Sequence, residues 1–438
     1  MTVLVFIFRS IILFIGSYMK YNTILLLIIP FLIYGCETVT YENNLSSKNK
    51  IEPDILNNEF IIQPDSTMVK IGILLPLSGE NSQIGGSLLK AAKLSLNKTK
   101  NRNIQLFIKD TENSNTNIIS SYYDLINEEV DIILGPLFTK NIKIISPVSE
   151  DENTLMITFS NNSEIKNENT FISGLTPEDE IREAINYTMS KGSEKFGLIF
   201  PNNEYGLRSK KLIQNLVLEK NGEISEFVFY NSEKPDFYAV SKKIADYEQR
   251  KLKLEKKLEE LKNTNTVFAK DKYKKLKNQD TMGELEFDSL FIGAENIKHI
   301  SMLASILPYY DVDPKKVLYI GNSLWANNVA LKEPALEKGI FTNFSKKKYG
   351  NFELEYSEAF AATPHRIAYL AFDLVGLISN LQKKNKKINV SNITASNGFI
   401  GTNGLFRFRS NGSIQRSLSV FQIKNQNLIE VKKANLNF

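Results

Sequence analysis

The sequence has a single cysteine, Cys36, in 438 residues, so no disulfide can form within the chain. It has two histidines, His299 and His365, far apart in the chain, which leaves little for imidazole chemistry. His365 sits in Thr363-Pro364-His365-Arg366 at the start of an expected helix, where a capping or surface role is the default. No Gly-x-Ser-x-Gly elbow, phosphate-cradling Gly/Lys loop or paired Cys/His spacing occurs, and neither an enzyme nor a cofactor or metal is expected. Long apolar runs are lacking too: Val3 to Ile15 and Ile24 to Ile33 are each shorter than the roughly 20 residues of a membrane-spanning helix. Charge of one sign is concentrated only in short runs, such as Lys383-Lys384-Asn385-Lys386-Lys387, which suits the negative end of the helix expected before it. The net charge of +5 is spread over many Lys and Glu, and the lysine-dense stretch 242–277 is interleaved with acids, which fits a solvated helix face rather than a nucleic-acid site.

What is present is ordinary for a globular α/β protein of two or three units, with 42% hydrophobic and 24% charged residues. The chain is organised around Val69 to Asn97. Ile71, Ile73, Leu74 and Leu75 form a short apolar run typical of a strand covered on both faces, and Pro76 ends it. Ser78, Gly79, Asn81, Ser82 and Gly85-Gly86 then offer small side chains and free backbone N–H groups at the carboxyl end of a strand, where ligands of open α/β sheets sit. A helix follows with Ile84, Leu88, Ala91, Ala92 and Leu96 on one face. Further strands are expected at 104–108, 130–134 and 154–159, with helices between them. Phe171 to Gly174 reads as a crossing strand, and Pro177 opens a helix. A second β-α series occupies 196–200, 224–230, 287–292 and 317–320. Repeated β-α usage predicts parallel sheets with helices on both sides, and two arrays of similar size imply two lobes.

Between elements of the second array lies an insertion, 240–283. Ile244, Tyr247, Lys251, Leu254, Leu258 and Leu261 recur at spacings of three and four, an a/d seam on a long helix, and 267–277 can fold back as a second one. It is either a surface helix packed on its own lobe or a protruding hairpin that contacts a partner. A helix is expected over Pro364 to Lys383. The C-terminal part reads as strands, with Asn411-Gly412 turning a hairpin between 405–409 and 417–424.

Ile33-Tyr34-Gly35-Cys36 resembles the lipobox of bacterial lipoproteins. That resemblance implies a signal peptide over 1–35, with a start at Met19 giving the proportions of one, and a lipid on Cys36. Residues 36–66, polar and poor in aromatics, then read as a flexible tether. The segments IGILLPLSGENSQIGG, DIILGPLFTKN, LMITFSNN, NNEYG and GFIGTNGLFRFRSNGS together resemble the type 1 periplasmic binding proteins, the leucine/isoleucine/valine-binding superfamily. Within it, GPLF, LPYYDVDP, LW and FRF are similar to penicillin-binding protein activator lipoproteins.

The resemblance implies two Rossmann-like lobes with parallel sheets joined by three crossings. Lobe 1 is expected at 69–173 plus about 326–400, and lobe 2 at 174–325 plus about 401–438. A ligand's carboxylate would be held by Ser78 and Gly79, by Thr139, Lys140 and Asn141, and by Ser160, Asn161 and Asn162, with Tyr205 closing over it. The same residue types at Ser78, Thr139 and Asn161 equally suit helix caps. The superfamily's ammonium-binding acid has no match in the loop 319–325, so Glu295 stands in for it beside Asn322 and Ser323. Trp325 would stack on the ligand or pack in the core or the lobe interface. The function implied is that of a non-catalytic, lipid-anchored periplasmic protein, on the outer membrane by the residue after Cys36. It regulates a penicillin-binding protein, a peptidoglycan synthase, or alternatively serves the permease of an ABC importer as receptor for an amino acid or peptide.

Overall fold

The computed structural model describes residues 68–111, 115–164 and 167–438; the expected signal peptide, Cys36 and the tether to residue 66 lie outside the described residues. The first sheet contains β1 (Val69–Leu75), β2 (Ile104–Asp110), β3 (Ile132–Leu134), β4 (Met156–Thr158) and β5 (Thr170–Ile172). They lie in the order β2-β1-β3-β4-β5, all parallel. Helices α1 (Ser82–Thr99), α2 (Asn115–Asn127) and α3 (Thr139–Asp151) connect them. Strand β1 is buried on both faces from Ile71 to Leu75, as its short apolar run requires. Leu88, Ala91 and Ala92 turn α1 onto the sheet. Gly85 has a steric reason: a Cβ there would sit 2.0 Å from the carbonyl oxygen of Pro76, so only glycine lets the helix start lie on the strand end.

The second half runs α4 (Pro177–Ser190), β6 (Lys195–Pro201), α5 (Glu204–Leu218), β7 (Glu223–Tyr230), then helices α6 (Phe237–Ile244), α7 (Tyr247–Lys262) and α8 (Val267–Leu276). It continues with β8 (Ser289–Ile292), α9 (Ile297–Ile306), β9 (Leu318–Gly321) and β10 (Ile340–Asn343). The chain then forms α10 (Lys346–Phe360), α11 (Tyr369–Lys383), β11 (Phe399–Gly401), β12 (Gly404–Phe408), β13 (Ile414–Arg416), β14 (Ser419–Lys424) and β15 (Asn427–Lys432). The second sheet has the order β15-β14-β10-β9-β8-β6-β7, while β11, β12 and β13 form a small antiparallel sheet of their own. Gln63–Phe438 is one compact unit, and the four apolar cores of the described residues all lie within it.

The lobe boundaries differ from those expected. Residues 326–343 remain in the second lobe, because Trp325, Ala330, Leu336 and Phe341 fill its core and β10 pairs with β9 and β14. The first lobe resumes with α10 and α11, whose Phe352, Tyr356, Leu370 and Leu374 pack on β1 and α1. It keeps the chain through β13, since Phe406, Phe408 and Ile414 join that same core, so residues 401–416 are not in lobe 2. The hairpin at Asn411-Gly412 forms between β12 and β13, and the second strand stops at Arg416; β14 is a separate strand of the second sheet. The helix expected from Pro364 begins at Tyr369.

In the insertion, the long helix expected from its seam is broken at Asp246, whose φ of 44° ends one helix and starts the next. Ile244 belongs to α6 and to the core, whereas Leu254 and Leu261 of α7 are buried beneath α8, which folds back as predicted. Arg250 pins the base of this pair: its guanidinium donates to the carbonyl of Gly283 at 3.0 Å and lies 3.5 Å from Asp311.

Candidate functional site

Because β1, β3 and β4 are parallel neighbours, the loops leaving their carboxyl ends share one edge of the first sheet. Those loops carry the predicted residues. Ser78 and Gly79 are exposed, with Gly79 at φ 71° turning the chain into α1; Asn81 holds the N-cap position of α1, and no side chain, Ser78 included, makes a capping hydrogen bond there. Thr139 opens α3, with its hydroxyl 3.4 Å from that of Ser160. Ser160 in turn accepts the N–H of Asn162 at 3.1 Å. Lys140 and Asn161 are exposed. Asn141 is almost fully buried, yet its side-chain amide has no hydrogen-bond partner among the described residues, and neither does the hydroxyl of Thr158 at the end of β4. Buried amides are nearly always paired, so this wall holds unused polar capacity.

The second wall is built by α4, α5 and the turn after β9. Asn322 Nδ2 donates to the carbonyl of Ala294 at 3.1 Å and reaches the Tyr205 hydroxyl at 3.5 Å, while its Oδ1 accepts from Leu324 N–H. Glu295 stands on the exposed rim and accepts from Asn203 Nδ2 at 2.8 Å. The N–H of Ser323, at the start of a 3-10 turn, donates to Glu180 at 2.7 Å. Glu180 is the residue that sequence reasoning missed. The residue is 8% exposed, and its carboxyl adds to the negative surroundings that, after burial, hold the Tyr205 hydroxyl well above its ordinary pKa. Burial pushes the Glu180 carboxyl itself up to about 7, against the hydrogen bond from Ser323 and the charge of Arg366.

Glu178, Asp179 and Glu180 stand together in the first turn of α4, where acids complement the helix dipole, so the sequence offered a sufficient bland reason for them. That the Glu180 carboxylate meets the N–H of Ser323 is a consequence of packing over a separation of 143 residues. A carboxyl with a raised folded pKa binds its proton more tightly folded than unfolded, so its cost is largest above pH 7 and is relieved as pH falls from about 7 toward 4. Glu180→Gln keeps the acceptor for Ser323 and removes the charge. It is expected to stabilise the protein by about 1–3 kcal/mol near pH 8 and by close to nothing near pH 4. Denaturant titrations at the two pH values check this; an equal effect at both would refute it.

The two walls also meet directly. Arg208 of α5 donates to Asn162 Oδ1 at 2.8 Å and lies 3.3 Å from Glu164, and Ser163 donates to Glu178 at 2.7 Å. Behind them, at the crossings, Arg416 of β13 donates to the Ser173 carbonyl at 2.6 Å, and its backbone N–H donates to Asp179. Its guanidinium faces the rings of Phe406, Tyr369 and Phe344 at 5.1 to 5.8 Å. Asp179 and Asp373, raised by burial to about 7 and about 6, are both pulled back down by this cation.

Trp325 is not a site residue. It is fully buried in the second core, wedged against Gly321, where an added Cβ would fall 2.0 Å from the indole. Asn162 and Asn322 lie at the site but spend their amides on Arg208 and on the turn after β9. The two histidines lie in different lobes: His299 meets the rings of Tyr230 and Phe237 edge to face, and His365 donates its backbone N–H to Ser87.

Two lobes of parallel-dominated α/β structure, linked at three places and opening between the carboxyl ends of the first sheet and the turns of the second, define a type 1 periplasmic binding protein fold. Residues 68–248 match the model of the periplasmic binding protein family. An uncharacterised protein of Rickettsia prowazekii (strain Madrid E) is 25% identical over 162 residues, which is 37% of this chain and 43%, less than half, of that protein. Among solved structures, a substrate-binding protein of an ABC transporter from Sphaerobacter thermophilus superposes with a TM-score of 0.60 at 13% identity, over 84% of this chain and 98% of its own. An ABC transporter solute-binding protein from Rhodopseudomonas palustris BisB5, holding 3,4-dihydroxybenzoic acid, gives 0.56 at 15%, over 85% and 98%. The branched-chain amino acid binding protein LivJ from Streptococcus pneumoniae, holding isoleucine, gives 0.53 at 17%, over 84% and 99%. The chain thus has the fold of the type 1 periplasmic binding proteins, and its residues 68–248 match the periplasmic binding protein family model.

Proposed function

We propose that this is a non-catalytic periplasmic protein, held to a membrane through Cys36, that closes on a small ligand with an acidic end and a cationic or donor end, an amino acid or a short peptide. The observation that carries this reading is the placement of Glu180 behind Tyr205 and Ser323, in the wall that faces the amide- and hydroxyl-rich loops of the first lobe. The loop 319–325 has no carboxylate, and an ammonium buried without one is costly, which speaks against an amino acid ligand. Glu180, contributed from α4, removes that objection. The loops after β1, β3 and β4 take the acidic end with Ser78, Gly79, Thr139, Asn141 and Ser160, helped by the N-terminus of α3. Such a protein serves an ABC permease as receptor.

One observation favours a second reading, a regulator of a peptidoglycan synthase. The pairs Arg208 with Asn162 and Ser163 with Glu178 join the lobes by themselves, so closure does not require a ligand between them. Calorimetric titration of the unit 63–438 with amino acids and dipeptides separates the two. The receptor reading expects a dissociation constant in the micromolar range and a stabilisation of about 2.7 kcal/mol at a hundredfold excess over it. Both are expected to be lost in Glu180→Ala and Tyr205→Phe/Asn141→Ala variants. If no amino acid or peptide binds, and crosslinking in cells recovers a penicillin-binding protein, the regulator reading replaces it.

A further inference from the structure

The ligand cleft leaves the α7–α8 pair without a task. Thr266 caps α8, accepting from Ala269 N–H at 3.2 Å on extended backbone, so the helix begins at the turn of the hairpin and its first two residues are Val267 and Phe268. These are 79% and 75% exposed, although each is apolar and neither faces the core. The inward side of α8 is used up by buried Ala269 and by half-buried Tyr273 and Leu276, one and two turns on. At about 100° per residue, Lys270, Lys272, Lys274 and Lys275 occupy the remaining circumference, with Asp271 as the one acid of the helix. Lys272 Nζ stands 6.0 Å above the Phe268 ring. Of the acids nearby at the end of α7, Glu260 is paired with Lys257 at 2.6 Å.

From this juxtaposition of a convex, exposed Val-Phe pair with a ring of lysines, we propose that the hairpin tip docks on a bilayer surface rich in anionic lipid. The lysines meet the headgroup phosphates, and Val267 and Phe268 enter the boundary with the acyl chains. Shape and charge decide in favour of a bilayer. A protein partner would have to present an acidic socket matched to this particular knob, whereas a bilayer supplies diffuse negative charge and accepts a wedge of any shape. The lysines alone would give binding that salt abolishes, and the apolar pair alone would be marginal; together they make the two-part signal that peripheral attachment needs. The position of the tip, held through Arg250 at the base of the hairpin, also fixes which side of the second lobe is turned to the membrane.

The experiment uses the unit 63–438, which lacks Cys36 and holds all the described cores, so any attachment is independent of an acyl chain. It is sedimented with vesicles of phosphatidylcholine alone and of phosphatidylcholine containing about a third phosphatidylglycerol. The expected result is sedimentation with the anionic vesicles only. Bound fraction should fall by about five-fold or more in Val267→Ser/Phe268→Ser and in Lys270→Gln/Lys274→Gln/Lys275→Gln, and at high salt. All the altered side chains are solvent-facing, so circular dichroism and the thermal midpoint stay those of the parent. The proposal is overturned if the parent remains in the supernatant, if neutral vesicles serve as well, or if the Val267/Phe268 variant binds like the parent. It is equally overturned if ultracentrifugation shows self-association that the same variant abolishes, which would assign the tip to a second copy of the chain.

Discussion

Replacing Arg416 by methionine is expected to cost about 3–5 kcal/mol of stability near pH 7.5 and clearly less near pH 5. Arg416 is 7% exposed, and its side chain reaches every passage between the lobes: the Ser173 carbonyl on the first, the Phe344 ring on the second, and its own strand on the third. Methionine fills much of the volume and leaves two consequences. The carbonyl of Ser173 loses a short charge-assisted hydrogen bond, and Asp179 and Asp373 lose the cation that holds their charged forms in place. Truncating one side of a buried charge cluster strands the other side, which is why the loss exceeds that of a surface pair by several-fold.

The sign of the pH dependence follows from the two acids. Their folded pKa values, already raised to about 7 and about 6, rise further without Arg416, so in the variant both are neutral near pH 5 and no charge is stranded there. As pH rises through and above 7 the variant must either hold these protons, which the unfolded chain releases, or bury the charges unpaired, and the full cost returns. Denaturant melts of parent and variant at the two pH values are the measurement. A loss under about 1 kcal/mol, or one independent of pH, would remove Arg416 from its place as the common fastening of the crossings. The conservative Arg416→Lys variant keeps the charge but not the flat face set against Phe406 and Tyr369, and is expected to fall between the two.

The legible parts of this fold are those where a local pattern and the tertiary role coincide. The nearly continuous apolar run of β1, the glycines at the start of α1 and the turn at Asn411-Gly412 were legible, and the structure has those elements, although the second strand of the hairpin is 414–416 rather than 417–424. The stretch 326–360 was not legible. Strand β10 is four residues long, and α10 mixes Lys, Tyr, Glu and Gly without a clean apolar stripe, so nothing local marked where the chain returns to the first lobe. The site divides in the same way. Small and hydroxyl residues after parallel strands announce a wall, whereas Glu180 and Arg416 get their meaning from partners 143 and 243 residues away. Glu180 reads locally as a helix-dipole acid, and Arg416 reads as one more cation on a terminal strand.

Trp325, for which the sequence left ligand stacking and packing in the core or lobe interface both open, takes the core position. Trp325→Ala is expected to destabilise the protein by about 3–5 kcal/mol, the usual cost of emptying a large aromatic from a core, while leaving ligand affinity at whatever stability survives unchanged. The indole has no exposed surface, packs toward Phe341 at 6.3 Å, and occupies space that glycines at 321 and 339 leave open. Its Nε1–H has no acceptor among the described residues, so Trp325→Phe removes an unpaired buried donor along with part of the volume, and the two changes offset. That variant is expected within about 2 kcal/mol of the parent. As the one tryptophan of the chain, Trp325 reports on itself. Its emission should be that of an indole in an apolar site, should resist quenching by iodide, and should change on unfolding but not when a small molecule enters the cleft. A quenchable or ligand-sensitive emission would return Trp325 to the site; Gly321→Ala gives an independent check. The added methyl, 2.0 Å from the indole, should cost stability in the parent and markedly less in the Trp325→Phe background.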